Sequence, residues 1–399
     1  MHMCLKWQNA CCTWLIKMDN TMLIKQDLWL ARCAALGFMV FLLAPWVLPS
    51  NKIYHQLIIA FLWLPALLSL FRQDLRPDWR LPECWLYLLF SAWALVVIAL
   101  QGAPDPWGKA KLPLYVGLSF VGIWLACRNG RWSVEQLLFF AALLGGVGAA
   151  YSWLDFYWLQ NHRFGLRLSA NGLWDTPIPA AHAVGALAIL GTLLLPDVRR
   201  AQHYLLLYVL VGLSALGFML FLISSQTRGV WIALLATLLF TCAIDLKRQH
   251  VVLLLLVFSV LLTVFFINAE FLLQRGASYR PQLWQAGIDL IQQNPLMGLG
   301  FDAYSIKISE LTKSFKHPHN LFLDIGVRLG LIGLALFMLL WGCAAWRGWR
   351  HRHEPLGKAL LALLVFSSVS LLTDGIGLWL KPNADWFVTW LPLAISLVL

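Results

Sequence analysis

Three basic residues in this chain stand where chemistry is plausible: Arg228, Arg280 and His319. Arg228 opens an apolar run after the polar string Ser224-Ser225-Gln226-Thr227. Arg280 stands just before a short amphipathic stretch, and His319 closes Lys316-His317-Pro318-His319 at the start of another apolar run. A neutral imidazole can take the proton of a hydroxyl. Guanidinium forks match phosphate oxygens and stabilise the charge left on a departing phosphate. In so apolar a chain, the combination points to chemistry on a lipid-linked phosphate.

Other groups are candidates for substrate binding or for orienting these three. His317 competes with His319 as the base, and the sequence leaves both open. Arg163, Arg167 and Lys381 lie in polar segments on the same predicted side of a membrane. Each has a bland alternative, namely snorkelling of its charged end to lipid head groups. Asp324 and Arg328 stand four apart, the spacing of an ion pair on one helix face, while Arg328 is also placed to line a substrate cavity. At 1.5 Å per residue, Arg328 is about 13 Å along that helix from His319. Asp374, in Leu372-Thr373-Asp374-Gly375, returns to the same side and is a candidate to orient His319 or an arginine. His182, Asp155 and His55 read as satisfied polar groups or interface residues. A helix predicted to begin at His319, with Pro318 in its first turn, disfavours an imidazolium and attracts phosphate.

The elements that must position these residues are membrane helices. Of the 399 residues, 60% are hydrophobic and only 12% charged, which a soluble globular protein does not need. The 22 tryptophans fit aromatic belts at two interfaces. Apolar runs recur near Trp29–Leu48, Ile53–Phe71, Cys84–Leu100, Leu112–Cys127, Val134–Trp158, Ile178–Leu195, Tyr204–Ile223, Gly229–Ile244, Val251–Ile267, His319–Trp346, Gly357–Leu372 and Trp386–Val398. The expected fold is therefore an all-α polytopic membrane protein of about 12 transmembrane helices. Its expected divisions are a cytoplasmic leader (1–28), helices one to nine (29–268), a large outward loop (269–318) and helices ten to twelve (319–399). Within that loop Leu283, Trp284, Gly287, Leu290 and Ile291 fall at helical spacing, and Pro295, Gly298 and Gly300 then break the helix.

Lys and Arg set the orientation. One series of short loops carries about twice as many as the other, so that series, with both termini, is expected to be cytoplasmic. The eight cysteines fall in the leader or toward cytoplasmic helix ends, and no disulfides are expected. Net charge is +11, which in this setting implies anionic lipid contact rather than nucleic acid. No P-loop, G-x-G-x-x-G or outward Asp-x-Asp pair is present, so neither a nucleotide donor, a metal nor another cofactor is expected.

At four segments the chain resembles the O-antigen ligase family and, more loosely, O-antigen polymerases and protein O-oligosaccharyltransferases. These are Thr227-Arg228-Gly229; Arg280 with Trp284, Pro295, Gly298, Gly300 and Tyr304; His319-Asn320-Leu321-Phe322-Leu323 with Gly326, Gly330 and Gly333; and Leu372-Thr373-Asp374-Gly375 with Lys381-Pro382. The resemblance runs from about Arg163 to the C-terminus. It implies a multi-pass enzyme of the Gram-negative inner membrane, of the C-type glycosyltransferase class, with its site in a large periplasmic loop between the ninth and tenth helices. The donor would be O-antigen on undecaprenyl diphosphate and the acceptor a sugar hydroxyl of the lipid A–core oligosaccharide. Carried over by position, Arg228 and Arg280 would bind diphosphate and His319 would deprotonate the acceptor. A polymerase or protein glycosyltransferase would use the same donor. A transporter would instead place its ionisable groups near the membrane midplane on repeated, broken helices.

Overall fold

The computed structural model describes residues 28–101, 103, 105–174, 176–196, 204–245, 279–301, 304–307, 314–375 and 377–399. The expected leader, the expected span Val251–Ile267 and the start of the outward loop lie outside these residues. The described chain is almost wholly helical, as its composition requires. Its helices are α1 (Leu28–Trp46), α2 (Asn51–Ser69), α3 (Pro82–Gln101) and α4 (Pro106–Ala126). Then come α5 (Val134–Leu159), α6 (Pro177–Leu193), α7 (Tyr204–Ser224), α8 (Arg228–Ile244) and α9 (Arg280–Gln293). The last three are α10 (Leu321–Arg350), α11 (Pro355–Thr373) and α12 (Trp390–Ser396). A two-stranded antiparallel ribbon, β1 (Ile306–Lys307) and β2 (Ser314–Phe315), sits between α9 and α10.

Among the described residues, 7 helices are long and apolar enough to cross a membrane, and α6 and α8 are shorter apolar helices. α6 can be short because it is interior. Ala180–Leu187 is an unbroken buried stretch, and Gly185 brings it against α11 so closely that a Cβ there would lie 2.4 Å from the Phe366 ring. Small residues do the same where α5 crosses α7: a Cβ on Gly217 would lie 2.1 Å from the Gly146 carbonyl oxygen. Close backbone approach of this kind is how membrane helices gain packing energy without a hydrophobic drive between them.

Two expected spans come out differently. The run Trp386–Val398 forms a 3-10 turn (Ala384–Phe387) and the seven-residue α12, almost entirely buried. That helix is about 10 Å long, too short to cross about 30 Å of hydrocarbon. It plugs the bundle, with Trp390 fully buried between Tyr87, Phe120, Trp379 and Trp386. α10, expected to run without interruption, is broken at Gly330, whose φ of 68° and ψ of −175° are not helical.

The break is fully compensated. The turn 294–300 after α9 inserts there, and a Cβ on Gly330 would sit 2.1 Å from the Leu296 carbonyl oxygen. The carbonyls of Val327, Arg328 and Leu329 accept from Leu299 N–H (2.7 Å), Gly300 N–H (2.9 Å) and Trp93 Nε1 (2.8 Å). Leu331 N–H donates to the Pro295 carbonyl at 2.7 Å. Irregular backbone inside a membrane protein is tolerated where protein supplies such partners. Pro295, Gly298 and Gly300 thus end α9 and also seat it against the upper half of α10.

Candidate active site

The turn Thr373-Asp374-Gly375, at the end of α11, is where the separate sequence signals meet. Arg280 donates through Nε to the Thr373 carbonyl at 2.8 Å. A Cβ on Gly229, next to Arg228, would lie 2.2 Å from Thr373 Oγ1, so the start of α8 is pressed on the same residue. His319 Nδ1 is 3.0 Å from Asp374 Oδ1. A Cβ on Gly375 would lie 2.9 Å from the Leu321 Cβ, at the start of α10. The N-terminal ends of α8, α9 and α10 therefore converge on one turn. Each helix start carries the partial positive charge of its dipole, which favours an anion between them.

Local backbone strain marks the same places. Among the described residues the non-glycine positions with positive φ are Asn161, Gln226, Tyr279 and His319. The last three stand within two residues of the start of α8, α9 and α10. Such conformations cost of order 1–3 kcal/mol each and persist where the surroundings demand them. His319 (φ 51°) is not the first residue of its helix, and Pro318 is not in its first turn. Asn320 is the N-cap, its Oδ1 accepting from Leu323 N–H at 3.2 Å, and the left-handed turn at His319 swings the imidazole back toward α11.

Asp374 is the best-supported partner of the imidazole. Its side chain is 8% exposed and that of His319 is 29% exposed. Burial raises the Asp374 carboxyl, but the hydrogen bond from His319, the imidazoles of His182 and His319 and the Gly375 N–H outweigh it and bring it down to about 2. The carboxylate is thus ionised at neutral pH. It fixes the proton on Nδ1 and leaves Nε2 as the free base position.

His317 lies beside His319, ring centroids 4.1 Å apart. Burial first, then the charge of His319, hold it below the ordinary imidazole value. It has no carboxylate hydrogen bond, and its buried Nδ1 lacks a partner among the described residues. His317, His319 and Asp374 each offer one ligand atom, all within 4.8 Å of one another, so the trio is compact enough to hold a metal ion.

The remaining candidates divide. Arg167 braces the turn before α8, donating to the Ser225 carbonyl (2.8 Å) and to Thr227 Oγ1 (3.2 Å). Arg328 pairs with buried Asp324 at 3.0 Å, and Tyr304 Oη donates to the same carboxylate at 2.6 Å while its ring lies under the guanidinium. Arg328 also lines a cavity with His317. Arg163 is exposed in its loop, and exposed Lys381 lies near His55 rather than at the Thr373 turn. His182, expected to be a satisfied polar group, is buried 3.5 Å from Asp385, and its Nδ1 has no hydrogen-bond partner among the described residues. Sequence reading missed Thr373 as a docking point. A carbonyl carries no signal of its own, although Thr-Asp-Gly at a helix end did flag the turn.

Residues 209–338 match the family model described as O-Antigen ligase, a span that holds Arg228, Arg280, His319 and Arg328. The chain is similar to the O-antigen ligase of Pseudomonas aeruginosa, 27% identical over 363 residues, covering 90% of this chain and 88% of that one. It is also similar, over 72 residues at 35% identity, to the exopolysaccharide production protein ExoQ of Rhizobium meliloti, covering 15% of this chain and 17% of that one.

Proposed function

Because this chain resembles O-antigen ligases along 90% of its length, we propose that it joins a glycan carried on undecaprenyl diphosphate to a sugar hydroxyl of the lipid A–core oligosaccharide. The reaction would take place at the periplasmic face of a Gram-negative inner membrane, with both termini cytoplasmic. The observation that carries this reading is the meeting of His319, Arg280 and the start of α8 on Thr373-Asp374-Gly375.

In the proposed reaction His319 Nε2 takes the acceptor O–H proton as the oxygen attacks the anomeric carbon. The bond from that carbon to the diphosphate oxygen breaks on the opposite side, and its electron pair leaves with the diphosphate. Configuration inverts. Asp374 stabilises the imidazolium that forms. With Nε held on Thr373, Arg280 would turn its terminal nitrogens to phosphate oxygens, and Arg228, next to Gly229 at the start of α8, would add a second guanidinium. Guanidinium charge and three helix N-termini offset the negative charge that develops on the leaving group. In-line positioning supplies much of the remaining rate.

The test is transfer by purified protein from a lipid diphosphate-linked glycan to rough lipopolysaccharide, without nucleotide or added metal. A lipopolysaccharide ladder that vanishes in His319→Ala, while donor binding persists, is the expected result. Undiminished transfer by that variant removes the base assignment. A donor that grows longer, with no lipopolysaccharide product, replaces the ligase by a polymerase.

A further inference from the structure

A cavity that His317 helps to line carries several charged groups. It holds about 380 Å³, at the small end of the range for ligand sites. Lys109 from α4, Lys316 from the segment before His317, and Arg328 from α10 line it, with Asp105 and Asp324 as its acids. The charges do not cancel internally. Asp324 is taken by Arg328 and Tyr304. Asp105 caps α4 through Gly108 N–H at 3.0 Å. Among the described residues neither Lys109 nor Lys316 forms an ion pair, and with Asp324 held by Arg328 the two lysines face one remaining acid, Asp105, so the cavity keeps a net positive charge.

A second observation points to an occupant. Trp379 lines the cavity and is 5% exposed, yet its Nε1 has no hydrogen-bond partner among the described residues. His317 Nδ1, in the same lining, is likewise buried and without a partner among the described residues. Buried polar nitrogens without partners are rare in folded proteins and call for a missing group.

We propose that this cavity is the acceptor subsite and that it recognises an anionic group, phosphate or carboxylate, on the acceptor oligosaccharide. The proposal rests on the transferase reading above. Two arguments separate it from the donor site. Arg228 and Arg280 do not line it. Inversion also requires attack from the side opposite the diphosphate, and the cavity approaches His319 through His317, 4.1 Å away between ring centroids. Lysines suit this task, since they bind phosphate as mobile point charges without demanding one orientation.

The test uses purified full-length protein, with Lys109→Gln and Lys316→Gln separately and together. Binding of rough lipopolysaccharide is measured directly, and acceptor KM, donor KM and kcat are measured in the transfer assay. Each substitution is expected to weaken acceptor binding and raise acceptor KM about tenfold, leaving donor KM and kcat unchanged. Dephosphorylated lipopolysaccharide locates the anion. If it abolishes the difference between wild type and variant, the group is phosphate; if the difference persists, it is a sugar carboxylate. Unchanged acceptor affinity overturns the proposal, as does a rise confined to donor KM. It also falls if the variants lose only stabilisation by phosphatidylglycerol vesicles, because the cavity then holds a lipid headgroup. Direct binding separates the two readings: acceptor that binds through the lysines but is never glycosylated refutes the transferase and not the subsite.

Discussion

Replacing Asp374 with Asn tests the proposed base more sharply than deleting His319 does. Asn is isosteric, and its carbonyl oxygen can still accept from His319 Nδ1–H at the 3.0 Å seen here. Tautomer and ring position are kept, and only the negative charge goes. That charge matters when the imidazole becomes imidazolium in the transition state. Unit charges about 4 Å apart interact by about 4 kcal/mol at an effective dielectric constant near 20. His319 is 29% exposed, so solvent screens part of this. A charge-assisted hydrogen bond contributes about 1.5–3 kcal/mol, and a tenfold rate change corresponds to about 1.36 kcal/mol. Asp374→Asn should therefore lower kcat by between about 10-fold and 10³-fold, with donor KM little changed. The Asp374 carboxyl lies near 2 against an ordinary 3.8, so it stays ionised across the neutral range. A depressed acid stabilises the fold above its ordinary value and loses that contribution only as pH falls toward 2. Transfer rates across pH in detergent or nanodiscs, beside a thermal unfolding curve, read all of this. A variant with wild-type kcat would refute the His319–Asp374 couple.

Arg228→Lys and Arg280→Lys should each weaken donor binding about tenfold or more, because a lysine keeps the charge but not the bidentate fork; isothermal titration with a lipid diphosphate checks this. Gly330→Ala should destabilise the protein by at least about 1–3 kcal/mol from its left-handed backbone alone, with a further cost from the overlap on Leu296, seen as a lower unfolding temperature. Chelator should leave transfer intact if guanidinium charge meets the diphosphate; inhibition reversed by added metal would instead assign His317, His319 and Asp374 a metal ion.

The all-helical membrane class and many of the helix positions were legible in the sequence, because each is a local property. Apolar run length reports a membrane helix directly. Arg228, Arg280, His319 and Asp374 stand out as polar groups at the ends of such runs. What the sequence could not give is the pairing among them. Residues 280 and 373, or 319 and 374, are far apart along the chain, and a carbonyl such as that of Thr373 has no signature in the sequence. The break in α10 also escaped. Gly330 is permissive, not compelling, and becomes a break only because the turn 294–300 supplies the hydrogen bonds the helix gives up. Trp386–Val398 misled for a related reason: hydropathy marks burial in lipid and burial in protein alike, and only packing decided that this run is interior plug rather than span. The residue types thus determined which chemistry can be proposed for this chain. The convergence of three helix starts on one turn of α11 decided where His319, Arg280 and the start of α8 stand.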